Sequence, residues 1–193
     1  MVLPQSIRAD NETAFNNVSG KITWNIGNEP SANIEAGIAD GISSTSVNTG
    51  SGLTVSNATF FDKIMTKYRP LVSNAGNVES VMIEYRVKPK TGIKFKPTNV
   101  SFYAVKVGTD GATFSYSYTT DGTENSIIDV DKSTILRNNS ANAATATLNH
   151  SIDITANETD VFTFRIYISN TNNAKDIAIA NVVISGIING TVK

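Results

Sequence analysis

The chain has 193 residues, 40% hydrophobic and 17% charged, with 16 basic and 17 acidic side chains and a formal net charge of −1. That balance supplies no electrostatic pull toward nucleic acid or an anionic membrane surface. No cysteine is present, which excludes disulfide staples, thiolate metal sites and cysteine nucleophiles.

Asn, Ser and Thr make up about a third of the chain. Asn and Ser favour turns and Thr favours strands, so the composition points away from helices. It also predicts a neutral surface rich in hydroxyls and amides. Such a surface suits neutral polar partners, sugars among them, and is equally ordinary for a secreted β domain. No apolar run approaches the ~20 residues of a membrane span. Residues 1–8 carry no charged segment followed by an apolar core, so they do not read as a signal peptide. The chain is expected to be cytoplasmic or a fragment cut from a longer secreted protein.

Candidate strands recur at the spacing of a sandwich or barrel. Residues 21–26 form the first and hold the one tryptophan, Trp24. Residues 32–39 and 42–48 are weaker, with the small side chains of an edge. A turn at Gly50-Ser51-Gly52 leads into residues 53–56. Residues 60–68 fit a short amphipathic helix, a strand or a compact loop equally well. Residues 81–88 alternate, placing Val81, Ile83, Tyr85 and Val87 inward and Glu84, Arg86 and Lys88 outward. After a turn at 89–92, residues 99–107 form another strand, closed by Gly108-Thr109-Asp110-Gly111. Residues 113–119 alternate again, with Phe114, Tyr116 and Tyr118 opposite Ser115 and Ser117. Residues 137–147 read as a long surface loop, and 146–154 as a strand.

The last two strands are the most distinctive. Residues 161–170 place Phe162, Phe164, Ile166 and Ile168 on one face and Thr163, Arg165 and Tyr167 on the other. A polar turn over 170–176 follows, and then residues 177–190, almost wholly apolar. A strand with no polar face must be covered on both sides and lie centrally in a layered β structure. The sum is an all-β chain: one antiparallel two-sheet β-sandwich over 1–193, of jelly-roll type, with 1–18 as a linker or edge segment.

The chemistry these residues allow is narrow. His150 is the one histidine, and without a second histidine or a cysteine it reads as a hydrogen-bonded sheet residue rather than a base or ligand. No HExxH, GxSxG or GxxxxGK[ST] motif occurs, which removes zinc, triad and phosphate-loop chemistry. Glycoside hydrolysis needs two carboxylates at a fixed separation. Glu35, Glu84 and Asp153 lie on or near strands, but Glu84 beside Arg86 reads as a solvated ion pair, so the chain is expected not to be an enzyme. A small jelly-roll glycosidase and a structural or adhesive spacer remain the alternatives. Asp129 and Asp131 are spaced to hold a structural calcium, although turn geometry explains the acids of residues 110–131 as well. No other cofactor is expected.

Aromatic rings matter most for a sugar ligand, whose C–H face packs against a flat ring while neighbours bond its hydroxyls. Trp24, Tyr68, Tyr103, Tyr116, Tyr118 and Tyr167 are the candidates. Tyr103 and Tyr167 stand out because each lies opposite its strand's phenylalanines. Tyr103 shares its face with Val105 and can instead meet a second layer. Tyr167 shares its face with Arg165, whose fork also suits a uronate carboxylate. Lys106 lies near a strand end, where it can snorkel to water. Asn170, in the turn beyond Tyr167, is the nearest third contact.

Residues 88–102 (Lys-Pro-Lys-Thr-Gly-Ile-Lys-Phe-Lys-Pro-Thr-Asn-Val-Ser-Phe), Gly108-Thr-Asp-Gly111, Phe164-Arg-Ile-Tyr-Ile168 and Ile179-Ala-Asn-Val-Val-Ile-Ser-Gly186 together resemble a known module. It is a non-catalytic β-sandwich appended to secreted polysaccharide-degrading enzymes of Bacteroidetes. The resemblance spans about the last two-thirds of the chain. It implies a secreted or surface-borne jelly-roll carbohydrate-binding module, monomeric, that binds hemicellulose, β-glucan or pectin and is tethered to a glycoside hydrolase or lyase. The chain departs from that family at Lys106, where the family has an arginine, and at Tyr118, where it has a tryptophan. The ligand candidates are thus Tyr167, Arg165, Lys106, Tyr118, Trp24 and Asn170.

Overall fold

The computed structural model describes residues 12–71, 79–107, 113–120, 128–129, 146–169 and 176–193. Twelve strands lie within them: β1 Ala14–Ile26, β2 Asn33–Ile34, β3 Ile42–Thr49, β4 Leu53–Phe60, β5 Lys63–Pro70, β6 Met82–Pro89, β7 Ile93–Val107, β8 Thr113–Thr119, β9 Ile128–Asp129, β10 Ala146–Ser151, β11 Phe162–Ser169 and β12 Asp176–Thr191. All pairings are antiparallel. One sheet runs β10-β7-β12-β1-β2, with the β4–β5 hairpin joined to β12 through β5; the other runs β3-β6-β11-β8-β9. We refer to them as the seven-stranded and five-stranded sheets. The chain changes sheet at most connections, as expected for a jelly roll, and the fold is an antiparallel two-sheet β-sandwich.

Rings join the layers. Trp24 meets Tyr85 edge-on at 5.1 Å, Phe95 meets Phe162 at 6.2 Å, and Phe102 meets Phe164 at 6.1 Å. Each pair takes one ring from each sheet, and all six rings are buried. Edge and tilted contacts of this kind add to the stabilisation from burying their area.

Residues 60–68, which the sequence left open between a helix, a strand and a loop, are the end of β4, a tight turn and most of β5. Residues 32–39 hold only the two-residue β2 and a one-turn helix, Ala36–Ala39. Residues 14–18 begin β1 and pair with the end of β12 alone, at the edge of the sheet. The two final strands are not partners. β11 pairs β6 and β8 in the five-stranded sheet, whereas β12 pairs β7, β1 and β5 in the seven-stranded sheet.

β12 is central, as its apolar sequence requires, but its two faces are not buried alike. Ile177, Ile179, Val182, Ile184 and Ile188 point into the main core. The inward set switches from odd to even numbers at Asn181, which has φ 47° and sits at a shift in register with β7. Asparagine tolerates this left-handed conformation, and the extra residue of the bulge reverses every later side chain. On the outward face Ala178 and Ala180 are buried, while Asn181, Val183, Ser185 and Ile187 are half-exposed.

Candidate functional site

Arg165 and Tyr167 occupy the outer face of the five-stranded sheet, opposite Phe164 and Ile166, as the alternation of β11 dictates. One rung across four strands reads Asn48, Glu84, Arg165 and Ser117. Glu84 is its centre. Its Oε2 accepts from Arg165 Nε at 2.8 Å, and its Oε1 from Asn48 Nδ2 at 3.3 Å and from Arg86 at 2.5 Å. The carboxylate is only 3% exposed, so it is not the solvated ion pair expected from its neighbours. Burial alone would push its pKa up; bonds from Arg165, Asn48 and Arg86 outweigh that and hold it below the ordinary value. A general acid for glycoside cleavage needs the opposite shift.

The rest of that face is polar yet covered. Ser115, Ser117, Thr119 and Thr163 are buried, and Tyr167 is 3% exposed. Its hydroxyl lies 3.5 Å from Ser117 Oγ. Tyr167 therefore presents no open ring to a ligand, which corrects the expected aromatic surface. Arg165 and Arg86 instead line a cleft of about 440 Å³ with Thr119, Thr163, Thr159 and Asp160. Asp160 is itself held by the backbone N–H and side-chain amide of Asn157, each at 2.9 Å.

The other candidates scatter. Trp24 is fully buried against Tyr85 and is a core residue, which removes it from any ligand surface. Tyr118 packs against the main core and lies 5.8 Å from the His150 ring. His150 is bound where the sequence placed it: its Nδ1 is 2.6 Å from the Tyr116 hydroxyl, and burial lowers its pKa. Lys106 is half-exposed in β7 opposite Ile177 of β12, in the seven-stranded sheet and away from Arg165. Asn170 and Asp131 lie outside the described residues. Asp129 pairs with Ser115 through the backbone, and its side chain lies outside the description. Among the described residues no cluster of three or more His, Asp or Glu side chains suits a metal ion.

The sequence pointed to the outer face of the seven-stranded sheet only through Tyr103, and it is the more open surface. Its central rungs are Lys21, Ser185, Asn99 and Ser151, then Thr23, Val183, Ser101 and Asn149, each across β1, β12, β7 and β10. All eight are half-exposed or exposed. A depression of about 210 Å³ lies among Thr23, Asn25, Ser101, Tyr103, Asn181 and Val183, and a second of about 330 Å³ among Ser19, Lys21, Thr98, Ser185 and Ile187. Both lie along the outward face of β12, and we refer to the two together as the trough. Tyr103 is half-exposed within it, with Lys63 Nζ 4.8 Å from its ring centroid. Only the bulge at Asn181 sets Val183 and Ser185, rather than Val182 and Ile184, on this face, and a continuous apolar run hides that switch.

Glu35 lines the second depression, while Glu84 is on the outer face of the opposite sheet. A sandwich thickness separates them, so they cannot flank one glycosidic bond. Asp153 is exposed and paired with Lys96 at 2.8 Å.

No protein-family model matches the sequence, and no curated protein matches it. Among solved structures the chain is similar to a family 4 carbohydrate-binding module at 11% identity, covering 74% of this chain and 86% of that one, with a TM-score of 0.44. A family 29 carbohydrate-binding module gives 13%, 87% and 89%, with a TM-score of 0.43. The CBM22-1–GH10 modules of Clostridium thermocellum endo-1,4-β-D-xylanase 10B, complexed with xylohexaose, give 13% identity and a TM-score of 0.42; 90% of this chain covers 28% of that one. Likeness at this level transfers no binding residue.

Proposed function

We propose that this domain is a non-catalytic carbohydrate-binding module that takes a neutral polysaccharide along the outer face of its seven-stranded sheet. The observation that carries this reading is the trough itself. Its rungs are built from Ser, Thr and Asn, with a half-exposed tyrosine among them. Hydroxyl and amide side chains bond sugar hydroxyls in either sense, and a ring supplies the apolar contact. Affinity is modest, because each such bond exchanges water for protein at a net gain of about 1 kcal/mol. The sequence resemblance extends the proposal: the ligand is a plant cell-wall polysaccharide, and the module is secreted, monomeric and attached to a glycoside hydrolase or lyase that it holds near substrate, an effective-concentration effect.

Affinity electrophoresis and calorimetry against xylan, glucomannan, mixed-linkage β-glucan and pectin test it. Tyr103→Ala is expected to weaken binding about tenfold, the loss of one ring contact, in a variant that still folds by circular dichroism. Retardation on none of the four, or full binding by the variant, contradicts the reading.

The cleft beside Glu84 supports a second reading. Arg86, 46% exposed at its side chain, and Arg165 together give a site for a uronate carboxylate. Binding confined to pectin and lost in Arg86→Ala favours this cleft over the trough.

A further inference from the structure

We infer that the trough is closed at one end by the β4–β5 hairpin, so that it receives a glycan by its chain terminus rather than along its length; this rests on the trough being the glycan site. The boundary is visible along the outward face of β12. Ala178 and Ala180 are 0% and 2% exposed, whereas Asn181, Val183, Ser185 and Ile187 are half-exposed and Asn189 is exposed. The cover begins at the bulge and stays on one side of it.

The hairpin tip provides that cover. Met65, Val105, Ala178 and Ala180 form a small second core on the outside of the sheet, and Phe60, Phe61, Tyr103 and Val107 pack against it. The hairpin turns through Phe61 and Asp62, with φ of 48° and 60°, between the paired residues Phe60 and Lys63. Two consecutive left-handed residues in a two-residue loop make the turn that Asn-Gly fills without strain, and phenylalanine is an unfavourable occupant. The strain is matched by a use for the ring: Phe61 helps bury the outer face of β12 where the trough stops. The closed end also gathers polar groups. Tyr103, Asn25 and Asn181 line the adjoining depression, and Lys63 stands over the Tyr103 ring with an ammonium donor. From Asn181 to Ile187 the floor runs about 20 Å at ~3.3 Å per residue, room for a short saccharide entering from the Asn189 side.

A wall of this kind makes binding sites scale with chain ends. Calorimetry of the full chain with xylan, glucomannan and mixed-linkage β-glucan, each intact and after partial acid hydrolysis, measures sites per gram of sugar. The inference expects sites per gram to rise in proportion to the reducing ends counted in each sample. Sites per gram that do not change on hydrolysis overturn it and leave the glycan reading standing. Absence of binding to all three overturns both. The double variant Phe61→Asn, Asp62→Gly keeps the turn in its preferred residues and removes the ring. It is expected to fold, by circular dichroism and melting temperature, and to bind with sites per gram no longer tied to chain ends. Retention of end-dependence in a folded variant overturns the Phe61 ring as the part of the hairpin that closes the trough.

Discussion

His150 shows how one side chain couples the sheets to pH. It sits in β10 of one sheet, and its Nδ1 meets the hydroxyl of Tyr116 in β8 of the other at 2.6 Å. Tyr116 and Tyr118 both lie against the imidazole ring, and Nε2 is buried with no partner among the described residues. Burial lowers the pKa below 6.5, so the folded ring stays neutral at pH values where the unfolded one takes a proton. The unfolded state then binds more protons, and stability rises with pH in that range. The contribution is complete above pH 6.5 and is lost as pH falls below it toward the lower folded value. Urea midpoints measured from about pH 7.5 to pH 5 are expected to fall for the native chain and to flatten in His150→Gln, which keeps an acceptor for Tyr116. Equal slopes in the two proteins refute the coupling. The sequence indicated a hydrogen-bonded histidine because no second ligand existed. It misread Glu84 as solvated because Arg86 is a neighbour along β6, while Arg165 reaches it from β11 and Asn48 from β3. Only cross-strand register shows those contacts.

At the scale of the strand, alternation was legible and interruptions to it were not. β6 and β11 have the inward and outward sets that their period-two patterns predict, as do residues 115–118 of β8. β12 does not, because its apolar run lacks contrast and a single left-handed Asn181 reverses its pleat. Arg165 and Tyr167 were placed on the correct face, but whether that face is covered depends on other parts of the chain, which alternation does not encode. Order along the chain was likewise no guide to pairing: β11 and β12 are neighbours in sequence and lie in different sheets. β12 also carries a packing constraint beyond the bulge. Gly186 pairs with Gly20 of β1, and a Cβ on Gly186 would lie 2.3 Å from Phe95 Cε2 and 2.9 Å from the Lys96 carbonyl oxygen. Neither the buried ring nor the backbone has room to withdraw. Gly186→Ala is expected to cost roughly 1–3 kcal/mol, read as a lower denaturant midpoint at unchanged m-value. An unchanged midpoint shows that Phe95 moves aside more easily than its packing implies.

For the molecule as a whole, composition announced the sandwich and the character of its surface, and did not distinguish its two outer faces. The faces differ in electrostatics. One carries the Arg86–Glu84–Arg165 group; the other is mostly hydroxyl and amide, with the opposite charges of Lys21 and Glu35 in its second depression and Lys63 over Tyr103. Raising salt from about 0.1 M to about 1 M shortens the screening length from ~10 to ~3 Å. Glycan affinity at the neutral trough is expected to hold within a factor of about two over that range, whereas a uronate held by two guanidiniums weakens. Calorimetry at both salt levels separates the faces without any mutation. A final consequence concerns force. Ala14 pairs with Thr191, and Thr13 accepts a backbone bond from Val192, so β1 and the end of β12 lie side by side at one corner of the sheet. Tension drawn from those two strand ends in opposite directions meets their ladder bonds one after another, like a zipper, instead of all at once in shear. Pulled there, the domain opens along its central seam at low force, beginning beside the trough floor rather than at the aromatic core.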